Sequence, residues 1–323
     1  MPNGSLPSSL SAHKIVLPAL IVAVTLCPLL LTSDYLRFVA VLILINAIAA
    51  TGVNISMGFC GLVSVGHAGF LGVGAYVAAF MINYVSPNAF AAVLMGGVSA
   101  GVAGIVIGLP SLRLNPLYIA MVTFGFGQAV NLVAINWIKV TGGPNGIGVN
   151  APMLFGIELN NTMLYVGTAI TFMLCLWIGA CIKNSRLGRA FLAVKESEIA
   201  AKSMGIAVDR YKMVAFTISA TMGGAAGGLY ALISGYVNPD AFVFQVSILL
   251  VTMCIVGGLA RLSGPVVGAI IFTILPELLR PFAEYKEFFS GIVLLAFLIL
   301  MPRGLATLIE KSLIARLFSR RPA

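Results

Sequence analysis

Leu36 to Ile55 reads LRFVAVLILINAIAATGVNI, a run with one charged residue, Arg37, near its start. About 20 consecutive apolar residues are what a helix needs to cross the hydrocarbon core of a bilayer. The run is continuous rather than alternating, so it specifies a helix and not a barrel strand. Nine further apolar runs share this character: Ile15 to Leu31, His67 to Ile82, Phe90 to Leu109, Leu117 to Ile138, Met163 to Ile182, Met213 to Tyr236, Val246 to Leu259, Pro265 to Leu279 and Phe288 to Met301. Several are short or interrupted by glycine, so the expected fold is an all-α polytopic membrane protein of about ten transmembrane helices, within a range of eight to ten.

Composition agrees. Sixty per cent of the 323 residues are hydrophobic and nine per cent are charged, with a mean hydropathy of +1.05. A soluble domain carries about a quarter charged residues to solvate its surface. The net charge of +9 reflects topology rather than nucleic-acid binding, since no basic run carries interleaved aromatics. With both termini inside, the inner side collects Lys14, Arg113, the seven Lys/Arg of residues 183–212, Arg261, Arg303, Lys311, Arg316, Arg320 and Arg321. Arg37, Lys139, Arg280 and Lys286 stay outside, giving 15 against 4 of the 19 basic residues. The first run lacks a small-residue cleavage signature and reads as a retained helix. The chain is expected to be a single transmembrane domain, 1–323, with a cytoplasmic loop at 183–212 and a basic cytoplasmic tail at 303–323.

The loop reads KNSRLGRAFLAVKESEIAAKSMGIAVDRYK. Its spacing predicts a short helix from about Leu187 to Met204, closed by Gly205 as a C-terminal cap. Leu192 and Ile199 would share one face, and Glu198 and Lys202 an i, i+4 ion pair. Ala200, Ala201 and Gly205 would leave a smooth surface for close approach, or a solvated loop helix.

Enzyme chemistry finds little support. There is no phosphate-binding G-x-x-x-x-G-K-[ST] segment, so the chain would not split ATP by itself. His13 and His67 are too few for a histidine metal site, and no metal is expected. No spacing suggests a catalytic triad, so no catalytic residue is expected. The cysteines, Cys27, Cys60, Cys175, Cys181 and Cys254, lie in or beside apolar runs and read as packing residues. The spans carry almost no charge. Glu277 is the exception, three residues from Arg280 on one helix face, where an ordinary ion pair is expected. Without buried carboxylates a proton-coupled carrier is disfavoured, and the energy has to come from elsewhere.

Glycines fall inside the spans as small-xxx-small pairs: Gly97/Gly101, Gly104/Gly108, Gly223/Gly227, Gly224/Gly228 and Gly264/Gly268. Such pairs let helix backbones approach closely. A short internal echo, Gly61 to Gly66 against Gly258 to Ser263, stands before two spans that run in the same direction and hints at duplicated halves.

Several segments together resemble one family, the permease subunits of bacterial branched-chain amino acid ABC importers, in particular the LivM type. They are GLVSVGHAGF (Gly61 to Phe70), GVGAY (Gly72 to Tyr76), LYIAMVT (Leu117 to Thr123), TGGPNG (Thr141 to Gly146), SRLGRA (Ser185 to Ala190), EIAAKSMG (Glu198 to Gly205), GGL (Gly257 to Leu259) and GPVVG (Gly264 to Gly268). The likeness runs in consistent order from about residue 35 to 305. It implies an ABC importer permease fold with a cytoplasmic coupling helix, working as a half-transporter in the bacterial inner membrane. It also implies a second related permease, two cytoplasmic ATPase subunits that hold the ATP and Mg, and a periplasmic substrate-binding protein, with no cofactor on this chain. The family's E-A-A-x-x-x-G signature maps onto Ala200, Ala201 and Gly205, whereas Glu198 stands one residue upstream of the usual position. ATPase coupling is thereby assigned to Arg189, Glu198, Ala200, Ala201 and Gly205. Candidates for lining the translocation pathway are His67, Tyr118, Thr123 and Gln128, each of which equally serves as a packing residue. The competing reading is a stand-alone secondary carrier or channel for a small polar solute.

Overall fold

The computed structural model describes residues 33–111, 116–154, 156–279 and 291. The first and last expected spans, Ile15 to Leu31 and Phe288 to Met301, and the basic tail lie outside them. The eight remaining runs all form helices. They are α1 (Asp34–Val53), α2 (His67–Phe80), α3 (Ala89–Ser111), α4 (Pro116–Asn136), α6 (Asn161–Asn184), α9 (Val208–Ser234), α10 (Phe244–Gly257) and α11 (Ser263–Leu278). Among the described residues, seven helical segments are long and apolar enough to cross a membrane, and α11 is a shorter apolar helix. Between α4 and α6 lie a short helix, α5 (Ile138–Thr141), and strands β1 (Ile147–Gly148), β2 (Met153–Leu154) and β3 (Ile157–Glu158). The polar loop carries α7 (Arg186–Glu196) and α8 (Glu198–Ser203), and β4 (Tyr236–Val237) follows α9.

The long helix α9 is the hub and packs against α3, α2 and α1. Hydrocarbon chains are as apolar as leucine, so burial of apolar area alone does not drive these contacts; close packing does. One close junction joins Gly74 of α2, Gly96 of α3 and Gly224 of α9. A Cβ on Gly74 would overlap the Gly224 carbonyl, and one on Gly224 would overlap the Gly96 carbonyl and the Ala100 methyl. The other small-residue pairs act alike. Gly101 and Gly104 face Thr221 and Ala220 of α9, and Gly268 of α11 lies on the Met253 backbone of α10.

Two connections keep the chain out of helical form inside the bundle. After α1 the helix widens to a π turn at Asn54–Phe59, and the chain then runs unwound through 60–66 before α2 begins. Between α10 and α11 a second break begins at Gly258, whose φ is +121°. These are the two echoing stretches, and each places a left-handed glycine (Gly61, φ +77°, in the first) ahead of a helix start. Asn54 ties them together. Its Oδ1 accepts from the Ala260 amide at 2.9 Å and its Nδ2 donates to the Arg261 carbonyl at 2.8 Å.

At the end of the bundle away from the polar loop, β1 pairs antiparallel with β4, and β2 with β3. Asn83 fastens this region to the π turn that ends α2. It donates to the Gly148 carbonyl at 2.7 Å and accepts from the Asn150 amide at 2.9 Å. These two-residue strands had no periodic signal in the sequence, because a strand pair this short has no face to alternate.

Candidate functional site

The unwound segment 60–66 matters because exposed backbone polar groups inside a bilayer are costly unless they are paired or line a cavity. Here they are partly paired. The Leu62 amide donates to the Ser56 carbonyl at 2.9 Å, and the Val65 amide to Thr123 Oγ1 of α4 at 3.1 Å. Thr123 in turn donates to the Ala120 carbonyl at 3.0 Å. The first turn of α2 is closed from another helix: the Ala68 amide donates to Ser247 Oγ of α10 at 2.9 Å. Gly66 has no room for a side chain, since a Cβ would overlap the Thr123 carbonyl.

A small pocket opens beside this break. Its walls are Val65, Gly66 and Ala68 from the break, Phe124, Gly127 and Gln128 from α4, Phe242 from the turn before α10, and Phe244 and Ser247 from α10. Phe124 and Phe244 meet edge to face with ring centroids 4.7 Å apart. The pocket is therefore aromatic on one side and carries two polar groups, the Gln128 amide and the Ser247 hydroxyl.

The four expected pathway residues separate. Gln128 lines the pocket, and Thr123 is fully buried behind it, holding the Val65 amide. His67 turns the other way. It is fully buried against Gly52 and Gly223, stacks edge-on to Phe70 at 5.5 Å, and neither ring nitrogen makes a hydrogen bond within the protein. Tyr118 is half exposed near the start of α4 and is not part of the pocket. Sequence reasoning passed over Ser247, Phe124, Phe242 and Phe244. Ser247 had a signal, as a hydroxyl within an apolar run; the phenylalanines had none, because aromatics are ordinary in spans.

The polar loop forms the second region. It is two helices rather than the single helix expected over Leu187 to Met204. Ser197 takes an extended backbone (φ −161°, ψ 114°) and starts α8 anew, its Oγ accepting from the Ala200 amide at 3.3 Å. Serine competes for backbone hydrogen bonds, so it favours caps over helix interiors. Ser185 likewise caps α7, accepting from the Leu187 and Gly188 amides. Leu192 and Ile199 consequently sit on different helices. The loop's inner side is anchored by Phe191, Val194 and Ala201, all buried. Gly205 closes α8 in the left-handed region, φ +81°, as the spacing requires.

The expected Glu198–Lys202 pair is not made. Glu198 turns to Lys212 on α9, whose side chain is only 2% exposed against 40% for Glu198. A buried ammonium demands a partner more strongly than an exposed lysine does, and this decides the pairing. Of the residues assigned to ATPase coupling, Arg189, Ala200 and Gly205 lie on the outer surface, while Ala201 and Glu198 face the bundle. The outer tip also carries Ile199 and Met204, 84% and 82% exposed. Elsewhere Glu277 lies in the last turn of α11, and its expected partner Arg280 lies outside the described residues.

α4 presents most of its surface outward. Only 17% of its most apolar stretch is buried, against 72% for α1 and its π turn, and Phe124 and Gln128 mark where that open surface meets the pocket.

Comparison with known proteins agrees with this architecture. A family profile described as the permease component of branched-chain amino acid transport systems matches residues 35–299. The high-affinity branched-chain amino acid transport system permease protein LivM of Escherichia coli K12 is 32% identical, over 91% of this chain and 75% of that one. LivH of Salmonella typhimurium is 27% identical, over 80% of this chain and 90% of that one. The autoinducer 2 import system permease LsrC of an Enterobacter strain is 28% identical, over 65% and 61%. A multi-pass helical bundle with this order of segments therefore belongs to the permease-component family of branched-chain amino acid transport systems, and within it to the LivM type.

Proposed function

We propose that this chain is one half of the membrane pathway of an ATP-driven importer for leucine, isoleucine or valine in a bacterial inner membrane. Its N-terminus and C-terminus face the cytoplasm, and the other half is a second, related permease lying against the open face of α4. Two ATPase subunits, holding ATP and Mg, bind beneath the polar loop. A periplasmic binding protein delivers substrate at the end that carries β1 to β4.

The observation that carries this reading is the exposed tip of the loop. Ile199 and Met204 are exposed at α8, which is held by the pairing of Glu198 with buried Lys212 of α9, while buried Phe191 and Val194 anchor the neighbouring α7. An apolar tip on a rigid base suits docking of another protein and transmission of its movement. The substrate reading rests on the pocket. Phe124, Phe242 and Phe244 offer apolar area to a branched side chain, and the Ser247 hydroxyl and Gln128 amide offer hydrogen bonds to a zwitterion without a formal charge.

Purifying the tagged chain from its native membrane in mild detergent, followed by mass spectrometry, tests the proposal. A second permease and two ATPase subunits are expected in the complex. Recovery of the chain alone, active in liposomes without ATP, would refute it in favour of a stand-alone carrier.

A further inference from the structure

We infer that Lys195 is a positioning residue that links the loop helices to the inner wall of the pocket; the inference rests on the transport reading above and names the route by which the loop acts. Lys195 lies in the last turn of α7, and its ammonium donates to the Gly58 carbonyl at 2.8 Å. Gly58 belongs to the π turn that ends α1, where terminal carbonyls lack partners in their own helix and a cation is favoured. The lysine stem closes the same contact. Its Cγ, Cα and Cβ stand 3.2 to 3.5 Å from where a Cβ of Gly61 would lie. One side chain thus holds the π turn by its tip and the first left-handed residue of the unwound segment by its base.

Four residues on, that segment becomes Val65 and Gly66, which line the pocket. The π turn also meets two other elements of the bundle. Asn54 grips the α10–α11 connection, and Ser56 Oγ lies 3.0 Å from Ser219 Oγ of α9. Glu198 with Lys212 fastens α8 to α9 only, whereas Lys195 reaches the π turn after α1 and Gly61 of the unwound segment. A displacement of α7 therefore passes through the Lys195–Gly58 contact into residues 61–66, which have no helix of their own to resist it. π turns inside α-helices appear frequently at functional sites.

The test uses the assembled transporter in proteoliposomes, with Lys195→Met and Lys195→Arg. Lys195→Met keeps the stem and removes the donor. Substrate imported per ATP hydrolysed should fall about tenfold while hydrolysis stays within about twofold of wild type, and Lys195→Arg should restore most of the ratio. An unchanged ratio, or uptake and hydrolysis falling together, overturns the inference. A wild-type assembly that imports without ATP overturns the transport reading itself and this inference with it, and is distinguished by needing no variant. Hydrogen exchange on the wild-type assembly serves where Lys195→Met does not assemble. Amides of 61–66 should change exchange rate at least about fivefold between nucleotide-free and ATP-analogue-bound states, and no change there overturns the link.

Discussion

Removing the carboxylate of Glu198 should loosen α8 from α9, and the two ends of its ion pair should respond unequally. Lys212 is 2% exposed and Glu198 40% exposed. Breaking a buried pair by deleting one partner costs about 3–5 kcal/mol, because a charge is left uncompensated in poor solvent. Glu198 is reached by water, so the lower end applies and Glu198→Ala should cost about 3 kcal/mol. Lys212→Met leaves only the carboxylate, which water solvates, and should cost about 1 kcal/mol or less. The double variant should resemble Lys212→Met and not the sum. Hydrogen exchange of the α8 amides reads this directly, since about 3 kcal/mol corresponds to roughly a hundredfold faster local opening. Equal effects from both single variants, or a silent Glu198→Ala, would refute the reasoning.

Other outcomes follow from single contacts. Gly224→Val should destroy the α2, α3 and α9 junction and with it monodisperse protein in detergent, whereas Gly148→Val, with open space around its Cβ position, should change stability by less than about 0.5 kcal/mol. Gly205→Val should cost about 1–2 kcal/mol from its left-handed backbone alone, since no atom lies within 4 Å of its Cβ position. Gly205→Asn should cost less, and uptake against expression level compares the two. His67→Gln should keep the thermal stability of the detergent-purified protein far better than His67→Glu, which would bury a carboxylate among Gly52, Gly223 and Phe70. Cys60 is buried, 2% exposed, so its thiol is shielded from solvent. Maleimide labelling of a protein retaining only Cys60 should stay slow as pH rises from 7 to 9, and labelling at the rate of a free thiol would contradict its burial.

Much of this was legible in the residues. Each apolar run from Leu36 to Leu279 became a helix, because a continuous apolar run in hydrocarbon has one way to satisfy its backbone. Gly205 declared its left-handed conformation through its place after a helical repeat. What the sequence hid depends on distance in space. Glu198 has basic residues on both sides, and only the fold shows that Lys212, fourteen positions later, is the one buried beside it. Ser197 looked like a helix interior residue and proved to be a cap, since either role fits the same letter. His67 and Thr123 are two of the four pathway candidates in the sequence, yet the start of α2 turns the imidazole toward Gly223 while Thr123 serves the Val65 amide. The pocket itself is assembled from three separate stretches, and no local pattern reports such an encounter.

The most direct test of the account is uptake of radiolabelled leucine by proteoliposomes carrying this chain, its partner permease and the ATPases, with the binding protein outside the leaflet that delivers substrate. Import that stops without ATP, and stops again when the binding protein is omitted, is the predicted result. Import by this chain alone, down a gradient and indifferent to ATP, would contradict it.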